Sequence, residues 1–290
     1  MSDDTRKILS KIIIDIILLC FVGFPILFYF LWGSSYKRGF FCDDESLKHP
    51  FKESTVKSWM LYLYGIVLPT LAIVLTEFFR CRRKGDTRRY RLFDMSIPDW
   101  ISNSYNNIGI FGFGAAATQL VVDIAKYQIG RYRPHFINLC NPRFEDGSTC
   151  DNPKNLGIYH ENFTCANPDI TTRQEKEMRL SFPSGHSSFS AYTMVYCAIY
   201  LHARMNWQGS KLLKHFFQYL LLLITWYTCL SRISDYKHHW SDVLAGASLG
   251  VIGALITSQF ISDLFAKYKS SMLPTTRVSN DRPDHVYRVP

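Results

Sequence analysis

Six long apolar runs alternate with polar stretches along the chain, at residues 12–32, 59–79, 106–129, 187–205, 213–230 and 243–265. Each is close to the roughly 20 residues that a helix needs to cross the hydrocarbon of a bilayer. The pattern therefore predicts an all-α protein built as a six-transmembrane-helix bundle. The run IIIDIILLCFVGFPILFYFLW is too continuously apolar for one helix of a soluble core. It also starts too deep, and runs too long, to read as a cleaved leader. One domain over 12–266 is expected, between a cytosolic N-terminus (1–11) and a flexible cytosolic tail (267–290) that lacks apolar periodicity.

Charge adds a direction to this pattern. The segment RCRRKGDTRRYR, residues 80–91, is dense in arginine and lysine, and such a cluster favours the cytosolic side. An even number of spans then puts both termini inside, with Arg6, Lys7 and Lys11 before the first span and Lys267 and Lys269 after the last. The outward loops become 33–58, 130–186 and 231–242. The net charge of +9 fits attraction to anionic headgroups, and no nucleic-acid-binding module accompanies it. Asn162-Phe163-Thr164, the one N-x-[ST] triplet, falls in an outward loop and is a candidate glycosylation acceptor. Cys42, Cys140, Cys150 and Cys165 also lie outward, where one or two disulfides are allowed, in a pairing the sequence leaves open. Cys20, Cys197 and Cys229 lie inside spans and read as small packing residues.

Three outward stretches carry the chemistry: KYQIGRYRP (126–134), PSGH (183–186) and SRISDYKHHWSD (231–242). The topology brings them to one membrane face. Lys126, Arg133 and Arg232 supply three cations, and guanidiniums match the edge of an oxyanion bidentately. Ser184 and Gly185 open a span, so unpaired N–H groups at that helix start suit an anion, with the Ser184 hydroxyl beside them. These groups fit phosphate. His238 and Asp242 stand four apart, and share a face if the last helix reaches back to both. A carboxylate on one ring nitrogen would leave the other as a nucleophile. His186 is then placed to protonate the leaving oxygen and later to activate water.

Lys126-x6-Arg133-Pro134, Pro183-Ser184-Gly185-His186 and Ser231-Arg232-x5-His238-x3-Asp242 together resemble the three signature motifs of type 2 phosphatidic acid phosphatases (PAP2). More closely, the chain resembles the integral-membrane lipid phosphate phosphatases over about residues 10–266, with every motif position filled. Soluble vanadium haloperoxidases share the constellation, but not the six spans. The resemblance implies a PAP2/haloperoxidase-like core with its active site at the extracellular or lumenal face. It implies His238 as nucleophile, Asp242 as its orienting partner, His186 as acid and base, and Lys126, Arg133, Ser184, Gly185 and Arg232 as phosphate holders. Metal-independent hydrolysis of phosphatidate, lysophosphatidate, sphingosine 1-phosphate and ceramide 1-phosphate follows from it, without cofactor. So do self-association into a homo-oligomer, and a place in the plasma membrane with endoplasmic reticulum or Golgi as alternatives. A phosphoryl transferase acting on a lipid alcohol, or a non-catalytic lipid-phosphate receptor, would use parts of the same set. An intact nucleophile with its acid speaks for catalysis.

Five residues remain outside that scheme. Asp123, inside a span, is expected to pair with Lys126, because a carboxylate at that depth needs a partner. Asp15 has no partner visible in the sequence. His239 reads as a packing or interfacial residue, and Asp235 with Lys237 reads as an ion pair at the rim of the site. No histidine or cysteine stands at zinc-ligand spacing around His238–His239.

Overall fold

The computed structural model describes residues 3–84, 90–92, 95–206 and 209–265. The expected tail 267–290, and residues 85–89 of the basic segment, lie outside the described residues. Among the described residues eight α-helices follow one another: α1 (Asp3–Trp32), α2 (Ser58–Lys84), α3 (Asp99–Ile129), α4 (Phe136–Cys140), α5 (Thr172–Glu177), α6 (Gly185–Arg204), α7 (Lys211–Ser234) and α8 (Trp240–Ile256). A π-helical turn, Thr257–Ile261, prolongs α8.

Among the described residues, five helices are long and apolar enough to cross a membrane: those of α1, α2, α3, α7 and α8. The chain is a multi-pass membrane protein. The fourth apolar run, expected to match the others, does not reach that hydropathy. It forms α6, which packs against α2, α3, α7 and α8 at the centre of the bundle. Twelve of its 20 residues are buried, among them Ser190, Tyr192, Thr193 and Tyr200. A helix screened by protein need not be lipid-like, provided its polar groups are paired. Here Tyr192 Oη donates to the Phe111 carbonyl at 2.9 Å, Tyr200 Oη to Glu77 Oε1 at 2.7 Å, and Thr193 Oγ1 to the Phe189 carbonyl at 2.9 Å.

The close seating of α8 on α6 depends on Gly246. A Cβ there would stand 2.3 Å from the Ser184 carbonyl oxygen, so no other residue fits without moving the start of α6. By contrast α1 is peripheral, packing chiefly on α3. Its Asp15 accepts from Tyr105 Oη at 2.9 Å, the partner that the sequence does not reveal. Cys197 and Cys229 are buried as expected, whereas Cys20 is exposed on α1.

Outside the bundle, residues 33–57 and 130–184 fold over the start of α6 as a small cap. Short antiparallel pairs stitch it together, Phe40–Phe41 with Tyr159–His160 and Pro142–Arg143 with Thr164–Cys165, so the expected all-α fold carries minor strands here. Two disulfides, Cys42–Cys150 and Cys140–Cys165, settle the open pairing. They surround a cluster of Phe40, Tyr132, Phe136, Leu139 and Met178.

Candidate active site

The three motifs meet at one end of the bundle. Lys126 lies in the last turn of α3, which Gly130 closes in the left-handed conformation. Arg133 follows in the chain that leaves it, held by its N–H on the Met178 carbonyl at 2.9 Å. Ser184 is the N-cap of α6, and its hydroxyl accepts from the Ser187 amide. Arg232 sits in the final turn of α7. Because α7 continues to Ser234 and α8 begins at Trp240, the connection is shorter than the expected 231–242 loop. His238 lies inside that connection, and its N–H and that of Lys237 both donate to the Arg232 carbonyl, at 3.2 and 3.1 Å.

Helix boundaries change the expected role of Asp242. Since α8 does not reach back to His238, the two are not one turn apart on a helix, and the anticipated contact is not made. Nδ1 of His238 instead faces the Ser181 carbonyl at 2.7 Å. A carbonyl only accepts, so Nδ1 carries the proton and Nε2 keeps its lone pair. Asp242, fully buried, accepts on Oδ2 from Ser181 Oγ at 2.6 Å. The same oxygen takes the His239 amide at 3.0 Å and ring Nδ1 at 3.1 Å, while Oδ1 takes Arg131 Nη1 at 2.5 Å. Asp242 therefore reaches His238 through Ser181. His239, expected only to pack, is the N-cap of α8 and a partner of Asp242 at i+3.

The helix start also departs from expectation in one respect. The Ser184 amide is not open to an anion, because it donates to the Asp242 carbonyl at 3.0 Å. Gly185 and His186 carry the remaining donors of the first turn. A Cβ on Gly185 would come within 2.8 Å of Lys126 Nζ, so the glycine is what lets that ammonium approach the backbone.

Each cation of the three motifs has a carboxylate. Lys126 Nζ lies 3.8 Å from Asp123, the expected pair, with Gln119 Nε2 donating to the same carboxylate oxygen at 2.9 Å. Arg133 Nη1 lies 3.7 Å from Glu177 of α5. Arg232 Nη2 lies 3.1 Å from Asp235. Asp235 is thus not the rim partner of Lys237; it also accepts from the Thr55 amide and hydroxyl, both at 2.8 Å. Lys237 Nζ instead sits 3.8 Å from the centroid of the Phe51 ring. Residues 49–55 form a strap across the α7–α8 connection. The His49 ring stacks on Tyr236, with centroids 4.4 Å apart, and Tyr236 itself holds a left-handed φ of 53°.

Burial holds the His238 imidazole well below its ordinary pKa, and Arg133, Lys126 and His186 push it in the same direction. It is neutral at physiological pH. Two atoms in the site, His186 Nε2 and Arg133 Nε, are buried with no hydrogen-bond partner among the described residues. Unpaired buried polar atoms are costly, and a bound oxyanion is one group that would satisfy both.

Arg131, Ser181, Glu177 and Thr55 are absent from the sequence-derived set. Arg131 could have been noticed as a second arginine inside KYQIGRYRP. Ser181 and Thr55 give no local signal, since their contacts join distant segments.

A neutral imidazole with a fixed tautomer, ringed by cations within a membrane helix bundle, suits chemistry on an anionic group in a membrane enzyme. The chain belongs to the PAP2 superfamily, which matches residues 107–266, and it is a phosphatase. A Drosophila melanogaster protein named as a candidate phosphatidate phosphatase is 53% identical over 272 residues, covering 91% of this chain and 72% of that one. Phospholipid phosphatase 1 of Rattus norvegicus is 38% identical over 276 residues, covering 93% and 91%. Phospholipid phosphatase 2 of Homo sapiens is 36% identical over 257 residues, covering 88% and 83%. No solved structure matches the chain.

Proposed function

We propose that this chain hydrolyses lipid phosphomonoesters, of the phosphatidate, lysophosphatidate, sphingosine 1-phosphate and ceramide 1-phosphate type, in lipid metabolism and signalling, through a phosphohistidine on His238. The observation that carries the reading is the neutral His238 with Nδ1–H donated to Ser181, set among Lys126, Arg133 and Arg232. Its Nε2 lone pair attacks phosphorus as the ester P–O bond breaks, and His186, holding a proton while the phosphate dianion lies against it, gives that proton to the departing lipid oxygen. His186 then takes a proton from water, which attacks the phosphohistidine and breaks the N–P bond to free inorganic phosphate. Lys126, Arg133, Arg232 and the Gly185 amide stabilise charge on the equatorial oxygens. Side-chain cations carry that charge, so the proposal is metal-independent. The names of the relatives support a lipid substrate.

In this reading α6 is also a crossing, the fourth of six, and both termini are cytosolic. The site then faces outward at the plasma membrane. Both disulfides lie at the site's end of the molecule, as an oxidising compartment allows, and so does the exposed Asn162, which we assign as the glycan acceptor. Phosphate release from phosphatidate in detergent, measured with and without EDTA, tests the reading. Wild type should release phosphate in both, and His238→Ala in neither while still reaching the membrane. EDTA-sensitive turnover, a fully active His238→Ala, or transfer to an added alcohol in place of water would overturn it.

A further inference from the structure

At the other end of the bundle a cavity of about 1250 Å³ opens between α2 and α7, with α6 as its floor. Leu68, Leu75, Phe79, Leu201, Phe217 and Leu221 line it. Three guanidiniums stand at its mouth, those of Arg80, Arg83 and Arg204, against two carboxylates, Asp263 in the lining and Glu77 behind Arg80. Arg80 is held in place: its Nη1 lies 3.3 Å from Oε1 of Glu77, which is fully buried and receives Tyr200 Oη at 2.7 Å. Arg83 Nη1 donates to the Asn206 carbonyl, and Arg204 Nη2 to the Asp263 carbonyl at 3.2 Å. Nε of Arg204 is buried with no partner among the described residues. None of these residues belongs to the phosphatase site, which lies some 30 Å away along the 20 residues of α6.

We propose that this groove binds one anionic glycerophospholipid, its acyl chains between α2 and α7 and its phosphodiester against Arg80, Arg83 and Arg204. An apolar slot with a basic mouth, at the depth where a spanning helix meets headgroups, matches that amphiphile in both parts. The chain's own residues 266–290 follow Phe265, which lines the groove, but carry five lysines and arginines against two aspartates. Their charge has the same sign as the mouth, which disfavours them as occupant.

Native mass spectrometry of the full chain in detergent, titrated with phosphatidylglycerol or phosphatidylcholine, tests this. Both probes are phosphodiesters and so are not phosphomonoester substrates. Phosphatidylglycerol should be retained at about tenfold lower concentration than phosphatidylcholine, with the preference lost in Arg80→Gln/Arg83→Gln/Arg204→Gln. If the triple variant fails to give a monodisperse protein, Arg83→Gln alone should weaken retention about threefold. Leu221→Trp, filling the slot, should weaken both lipids. Equal retention of the two lipids, or an unchanged preference in the arginine variants, overturns the proposal. So does much tighter lipid binding after deletion of 266–290, which would make the tail the occupant. A dimer dispersed by Leu221→Trp would likewise overturn it in favour of a second copy.

Discussion

The Ser181 carbonyl oxygen stands 2.7 Å from Nδ1 of His238, while the same residue's hydroxyl donates to Asp242 at 2.6 Å. One serine thus connects the proposed nucleophile to the buried acid through its main chain and side chain at once. Asp242 positions His238 indirectly, by fixing the peptide that fixes the ring.

This arrangement separates two substitutions. Asp242→Asn loses the charge that holds Arg131, Ser181 and His239 together, and should lower kcat by about 10²–10³-fold. That range follows the cost of disordering an orienting carboxylate or a supporting shell. Ser181→Ala keeps the carbonyl and should cost only about tenfold. Because both act on one peptide, the double variant should be no slower than Asp242→Asn alone. Multiplicative losses in steady-state kinetics would show that Asp242 acts on His238 independently of Ser181.

Arg232 is held from two directions, by Asp235 on its own helix end and, through Asp235, by Thr55 on the strap. Arg232→Ala removes an anion contact and should cost about 10²–10³-fold in kcat, by analogy with oxyanion donors. Thr55→Val deletes one of two hydrogen bonds to Asp235 and leaves the guanidinium charged, so KM should rise about threefold with kcat nearly unchanged. An equal fall in kcat and kcat/KM for Thr55→Val would mean that the strap acts in the transition state.

How much of this was legible depends on how far apart the interacting residues lie in sequence. Lys126, Arg133, Ser184, Gly185, His186, Arg232, His238 and Asp242 could be found because their spacing within short motifs is itself the signal, and the structure brings all of them to one end of the bundle. The Asp123–Lys126 pair was readable for the same reason, being local to a single helix turn. Thr55 with Asp235, 180 residues apart, and Arg131 with Asp242, 111 apart, have no such signature. The direct contact between Asp242 and His238 was misread because it turned on where α8 begins, and helix boundaries are set by capping, here by His239, more than by apolar periodicity. The fourth run departed from the hydropathy pattern because its environment is protein, which hydropathy does not see.

Cys42–Cys150 ties the strap-bearing loop to the 130–186 loop across 108 residues, and Cys140–Cys165 closes the second loop on itself across 25. Removing the first by Cys42→Ser/Cys150→Ser should lower stability by about 2–5 kcal/mol, the usual cost for a native bridge in a small unit. The strap's hold on Arg232 should weaken with it, raising KM alongside the fall in Tm. Thermal unfolding by intrinsic fluorescence, paired with substrate saturation curves, checks both. Removing Cys140–Cys165 should affect Tm with little change in KM, since that loop does not carry the strap.

The pH profile should have a basic limb set by Lys237. Its pKa is lowered to about 8, chiefly by burial, with Arg133 and Arg232 adding like-charge repulsion. Below that pH the ammonium adds its charge beside Arg133 and Arg232, and above it that charge is lost. Hence kcat/KM, which reports the free enzyme, should fall as pH rises through about 8. Lys237→Arg keeps the cation at high pH and should move the limb upward, while Lys237→Met should lower the plateau and remove the limb. His238 does not contribute to this limb, because its depressed pKa leaves it neutral throughout the range. A profile of kcat/KM from pH 6 to 10 for the three proteins decides the assignment: a limb that stays in place in Lys237→Arg belongs to another group.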